Sequence, residues 1–191
     1  FAVQQPVSLI IVMCIKNLYS QVDDSQIPHF LKEKINKSTE LTGDAFFLKV
    51  FASSEAASKV YYEQFYQKVF YGGVVNIRLK ELIRLRLAGI SGCKYCISVD
   101  ENSALSNGLT SKEIFDAKLG NLDNFPKIEK QLLQLAEHIA LTSASERADH
   151  KLISEILKSL SQEEFIEISF TIAILCGIGN MLGSLDLVET D

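Results

Sequence analysis

Glycine and proline are scarce, with ten and three positions among 191. So few turn-formers, alongside 47% hydrophobic and 23% charged residues, predict an ordered, helix-rich globule. Histidine is rarer than glycine: His29, His138 and His150 are scattered. No second CxxC or CxxH joins the one CxxC, and a structural zinc needs four ligands. No metal or other cofactor is expected. Basic blocks are missing too, and the net charge is −5. A nucleic-acid partner is therefore not expected. Four cysteines do not make a disulfide framework in a domain of this size. Cys14 and Cys176 sit in apolar runs, where cysteine acts as a small hydrophobe. The expected compartment is the reducing cytoplasm. The apolar stretch 7–15 is too short to span a bilayer. It lacks a positive n-region and a small-x-small cleavage pattern before Gln21. It reads as a segment packed on the body or on a partner chain, and no membrane partner is expected. Residues 1–24 are taken as an N-terminal extension and 25–191 as one domain.

Period-two alternation and internal repeats are also absent, which leaves an all-α helical bundle. Pro28 opens a short helix through residue 35, with a charged tail to Gly43. Helices are expected over 44–53 and 55–71, the second with Ala56, Val60, Tyr61, Phe65, Val69 and Phe70 on one face. That aromatic stripe reads as core or interface, with the wall of an apolar substrate channel as the other option. Asn76 is a candidate N-cap for an apolar helix over 77–90. In that helix Arg86 needs an acidic partner from another helix or subunit, unless it snorkels to water. Glu81 is placed on the polar margin near Arg84. Thr110-Ser-Lys-Glu113 and Ser161-Gln-Glu-Glu164 are capping boxes. They open a short helix ending near Gly120 and a long apolar one over 165–185. Between these come amphipathic helices over 127–141, where His138 rides at the surface or core edge, and around 150–160. A helix as apolar as 165–185 is either central or part of an oligomer contact.

Cys93 and Cys96 stand at i and i+3, directly after Ser91-Gly92, where one helix stops and another begins. Both thiols fall in the first turns of the new helix, with Asp100 one turn on. Unpaired N–H groups and the helix dipole favour a thiolate there. The pair reads as a redox dithiol, against half a zinc site or two chance core cysteines. Tyr95 between them is a candidate hydrogen-bond donor.

Glu81, eleven intervening residues, Cys93-x-x-Cys96, three more residues and a polar group resemble the alkylhydroperoxidase D and carboxymuconolactone decarboxylase superfamily. The resemblance spans 26–188, including Arg84-Leu85-Arg86 and an Asn180 near the end of the last helix. In the peroxidase branch the last place of the pattern is histidine; here it is Asp100. The resemblance implies an α-helical homo-oligomer, a trimer or a hexamer built from it. It also implies a CxxC-dependent thiol peroxidase acting on peroxides in antioxidant defence, re-reduced by a protein or small-molecule thiol. Cys96 would attack the peroxide, Cys93 would resolve the sulfenic acid and Glu81 would relay protons. The helix dipole instead favours the earlier cysteine as the more acidic. A dithiol–disulfide oxidoreductase, a non-catalytic scaffold and a carboxymuconolactone-type decarboxylase are the alternatives on the same fold. An ionised Asp100 would raise the thiol pKa, so Asp100→His is expected to lower it, unless Asp100 pairs with Lys94 or Arg84.

Overall fold

The computed structural model describes residues 18–142 and 148–189, and these form an all-α bundle without strands. The apolar stretch 7–15, with Cys14, lies outside the described residues. Helix α1 (His29–Thr42) follows Pro28 and stops at Gly43, whose φ of 73° is the left-handed value glycine tolerates. It is longer than expected, because Leu31, Ile35 and Ser38 keep one face buried through the charged tail. Helix α2 (Phe46–Phe51) starts where Asp44 Oδ1 accepts the Phe46 N–H.

Helix α3 (Glu55–Lys59) is capped by the Ser54 hydroxyl and runs without a break into a π-wound segment, Val60–Phe70. The aromatic doublets explain the winding. Tyr61-Tyr62, Phe65-Tyr66 and Phe70-Tyr71 recur every four to five residues. On an α-helix, residues five apart are rotated by about 140° from one another. Bonding to the fifth residue back, as from the Tyr71 N–H to the Tyr66 carbonyl, returns them to one side. Tyr61 and Tyr66 then meet edge-on at 5.0 Å, and Tyr66 and Tyr71 stack at 6.0 Å. The α-period stripe therefore needs correction at its start: Ala56 and Val60 are exposed.

Helix α4 (Ile77–Ser91), N-capped by the Asn76 side chain and ended by Gly92, is the centre of the bundle. It packs on α5 (Lys94–Ser106), α6 (Ser111–Leu119), α7 (Lys127–Leu141) and α9 (Gln162–Ser184). Leu82, Ile83 and Leu85 are buried on its different sides. Gly89 lets α6 approach: a Cβ there would lie 2.2 Å from the Lys118 carbonyl oxygen. Arg86 bridges the same contact, donating to that carbonyl and to Glu137 on α7, each at 2.7 Å. The acidic partner expected for Arg86 thus comes from another helix of the same chain.

A second tie joins α9 to the turn after the π segment. Lys80 is fully buried and donates to the Val69 carbonyl at 2.6 Å. It also pairs with Glu167 at 2.6 Å, and that carboxylate accepts the N–H groups of Val74 and Val75. The short helix α8 (His150–Ile156) is capped by Asp149, and both capping boxes form. Helix α9 is not central: Ile168, Thr171, Ile172 and Leu182 are buried, but Ile166 and Phe170 stay 58% and 49% exposed. By length and composition alone it is apolar enough to cross a membrane.

Candidate active site

The site sits where α4 hands over to α5. Gly92 ends α4 with φ 62°, and the next residue, Cys93, is the N-cap of α5 in an extended conformation. Its sulfur accepts the Cys96 N–H at 3.1 Å. Cys93 and Cys96 are joined as a disulfide, with an S–S distance of 2.12 Å. The two sulfurs differ in access. Cys93 is 2% exposed, whereas Cys96 stands in the wall of a cavity of about 370 Å³.

Aromatic side chains form much of that wall, chiefly Tyr61, Tyr62, Tyr66, Tyr71, Tyr95 and Phe47. Burial pushes the phenols of Tyr61 and Tyr62 well above their ordinary pKa, and that of Tyr95 to about 12. They are neutral hydroxyls near pH 7. Tyr95 packs edge-on against Phe47 at 6.0 Å, and its hydroxyl lies 3.0 Å from Ser38 Oγ. Cys176 also lines the cavity as a thiol, its pKa raised by burial.

Behind Cys96 lies a buried charge cluster. Asp100 Oδ1 is 3.2 Å from Arg84 Nε, and Arg84 Nη2 donates to Glu81 Oε2 at 2.5 Å. The remaining Glu81 oxygen accepts from Ser103 and Asn107, at 2.8 and 2.9 Å. Glu81 is fully buried, which corrects its placement on a polar margin. It lies behind Arg84 rather than in the cavity wall, while Arg84, Asp100 and Ser103 reach that wall. The Arg84 guanidinium also lies over the rings of Phe70 and Tyr66, 4.8 and 5.9 Å from their centroids. Its Nε–H has no aligned hydrogen-bond partner, so the contact to Asp100 is an ion pair of poor direction.

Two carboxylates share one guanidinium, and the electrostatics follow from that. Burial would lower the Arg84 pKa, but Asp100, Tyr66 and Glu81 outweigh it and hold Arg84 charged. For Asp100, burial pushes the pKa up to about 7; Arg84 opposes the rise and Glu81 adds to it. Lys94 is not the partner of Asp100; it pairs with Glu189 at 3.1 Å, near the end of the described chain.

The structure thus places Cys93 against Cys96, Glu81 against Arg84, and Asp100 and Tyr95 in the same cavity wall as Cys96. Ser103, Asn107, Tyr62 and Tyr66 were not singled out from sequence; Arg84 entered only with the resemblance, and Tyr61 only in the aromatic stripe whose other option was a channel wall. Glu81 and Arg84 at i and i+3, with Ser103 and Asn107 at i and i+4, carried a usable spacing signal. Nothing local linked the two pairs.

Residues 57–121 match the Carboxymuconolactone decarboxylase family. The same fold occurs in two peroxidase-related proteins of uncharacterized function. One is from Silicibacter sp. TM1040, with TM-score 0.70, 12% identity, and 89% of this chain and 88% of that one covered. The other, from Ralstonia eutropha JMP134, is described as an alkylhydroperoxidase AhpD core, with TM-score 0.71, 12% identity, and 91% and 92% covered. The family match over 57–121 and the shared fold both support the superfamily that the sequence pattern resembles. A further structural relative in this superfamily's fold is a variant of the debrominase Bmp8 in complex with 2,3,4-tribromopyrrole. Its TM-score is 0.67, with 18% identity and 91% of both chains covered. At these identities the structural likeness shows the fold alone. In sequence the chain is 28% identical over 95 residues to the uncharacterized Bacillus subtilis protein YdfG. That match takes in 49% of this chain and spans 64% of the length of YdfG.

Proposed function

We propose that this chain is a CxxC-dependent thiol peroxidase that reduces peroxides in antioxidant defence, working in a reducing cytoplasm with a thiol reductant. The observation that carries the reading is the asymmetry of the pair: Cys96 faces a cavity, and Cys93 is buried within bonding distance behind it. The Cys96 thiolate attacks the outer peroxide oxygen and the O–O bond breaks. The product alcohol leaves with a proton, and Cys96 becomes a sulfenic acid. Cys93 then displaces that oxygen as water, which forms the disulfide. An external dithiol returns two electrons and two protons to regenerate both thiols. Asp100 fits the proton-donor role, because a carboxyl with pKa about 7 is half protonated at neutral pH. Arg84 and Glu81 fix its place, Arg84 by contact and Glu81 by holding Arg84.

Counting free thiols before and after peroxide tests this reading. Added peroxide should remove the Cys93 and Cys96 thiols, a dithiol should restore them, and Cys176 should remain free. No loss of thiols would favour a non-catalytic scaffold. Reversible loss without peroxide turnover would favour a dithiol–disulfide oxidoreductase.

The assembly is part of the same proposal. Ile166 and Phe170 expose apolar surface on α9 that a partner chain would cover. A homo-oligomer, trimer or hexamer, is expected by light scattering. A mass near the 21.3 kDa chain at micromolar concentration would rule it out.

A further inference from the structure

The cavity is larger than hydrogen peroxide requires. At about 370 Å³ it lies within the usual range for small organic ligands. Most of its wall is aromatic or aliphatic, so an occupant excludes water best with an apolar body. Its charged groups come from two parts of the chain. Asp100 and Arg84 stand in the wall with Cys96, and there the guanidinium is already shared by two carboxylates. An added anion there would face Asp100, with the Arg84 charge already engaged by Glu81 behind it.

The other charges in the wall are Lys34 and Lys37, both on α1. At i and i+3 they share one side of that helix. Lys34 is half-buried, with its ammonium 5.0 Å from the Tyr62 ring centroid. Neither lysine has a carboxylate within ion-pair distance among the described residues. Burial pulls the Lys34 pKa down; Glu33 partly restores it and Lys37 lowers it further. Lys37 is exposed and Glu33 acts on Lys34 from the same helix, so an anion in the cavity would meet the half-buried Lys34 first and Lys37 at the rim.

We propose that the cavity takes an organic hydroperoxide with an apolar or aromatic body and a carboxylate. Lys34 and Lys37 hold the carboxylate and the hydroperoxide group meets Cys96. The substrate class rests on the peroxidase reading; the anion site does not. The chemistry is that given above: the O–O bond breaks, Cys96 takes the outer oxygen, and the carboxylate-bearing alcohol leaves with a proton. Water leaves as the disulfide forms, and an external dithiol supplies the electrons for the next cycle. The carboxylate takes no part in bond changes, so its effect falls on kcat/KM and on binding.

The test compares cumene hydroperoxide with its para-carboxylate, using dithiothreitol as reductant, for the wild type, Lys34→Met/Lys37→Met and Lys34→Arg/Lys37→Arg. A partly desolvated charge contact is worth about a factor of ten, so the wild type should favour the carboxylate about tenfold. The double methionine variant should bring that preference to within about twofold, and the double arginine variant should keep it. Binding of 4-isopropylbenzoate to the disulfide form, followed by calorimetry, is the second readout. Equal kcat/KM for both hydroperoxides in the wild type overturns the anion site and leaves the peroxidase reading standing. So does a preference that survives the methionine substitutions. If neither hydroperoxide is consumed, yet the benzoate binds the wild type at least tenfold more tightly than the methionine variant, the anion site stands and the peroxidase reading falls. No turnover and no binding overturns both.

Discussion

Cys96→Ser should lower peroxide reduction by at least about a thousandfold, which corresponds to roughly 4 kcal/mol of barrier. Cys93→Ser should instead leave a single turnover that ends with a sulfenic acid on Cys96. Two considerations meet here and, by themselves, point to different sulfurs. Cys93, as N-cap, lies at the positive end of α5 and accepts the Cys96 N–H. That favours charge on Cys93. Access favours Cys96, which faces the cavity while Cys93 is 2% exposed. The two fit one cycle once the reductive half is included. A reductant must attack the sulfur it can reach, and the other sulfur must leave; a stabilised thiolate leaves faster. Cys96 is then the sulfur attacked by the reductant and the one that attacks the peroxide, and Cys93 is the leaving group. Mass spectrometry of each variant after one equivalent of peroxide and a sulfenic-acid trap decides it. A trapped adduct on Cys93 of the Cys96→Ser chain, with activity retained, would reverse the assignment.

Much of the fold was legible because its signals are local. Asn76, Thr110, Ser161 and the glycines after α1, α4 and α6 fix helix ends by hydrogen bonding or positive φ within a few residues. The amphipathic helix α7 was readable over residues 127–141 for the same reason, since one period describes both its sequence and its burial. The π segment was not readable as such. Its aromatic doublets follow a repeat longer than 3.6, and imposing the α-helical period turns Ala56 and Val60 inward.

The grouping of the candidate site was legible where chemistry and spacing coincide, at Cys93, Cys96 and Asp100, which the fold brings together. It was obscure where the partners are tertiary. Charged residues on a helix are most often exposed, so Glu81 read as marginal and Lys80 drew no attention. Both are fully buried, because α5 brings Ser103 and Asn107 to Glu81, and α9 brings Glu167 to Lys80. Burial of a charge is settled by the groups that satisfy it; for Lys80 the ion partner is Glu167 on α9, and for Glu81 the neighbour Arg84 is joined by Ser103 and Asn107, 22 and 26 residues away. The π-segment tyrosines also show that core and channel wall are not exclusive. Tyr62 is buried in the packing and also forms part of the cavity surface.

Asp100→Asn should make the protein more stable than the wild type above pH 7 and leave the two nearly equal near pH 4. Burial raises the Asp100 pKa to about 7 in the folded chain, against about 3.9 when unfolded. A carboxyl raised in this way binds its proton more tightly in the folded state. Its contribution to stability is fully present below about pH 4 and is lost as the pH rises through about 7. The loss over that window is on the order of 4 kcal/mol, and asparagine does not incur it. Arg84 keeps Glu81 in the variant, so the guanidinium is not left without a counter-charge. Urea unfolding at several pH values from 4 to 8 gives the difference directly. A variant that instead loses stability relative to the wild type as pH rises would mean that the Arg84 pair dominates and holds Asp100 ionised. Asp100→His bears on the same point through activity. An imidazole beside the Arg84 guanidinium is held neutral, so it removes only the half charge that Asp100 carries near pH 7. The fall in thiol pKa expected of that substitution is correspondingly small. Peroxide reduction by the wild type should show an inflection near pH 7 that vanishes in Asp100→Asn, because asparagine has no proton to give at that position.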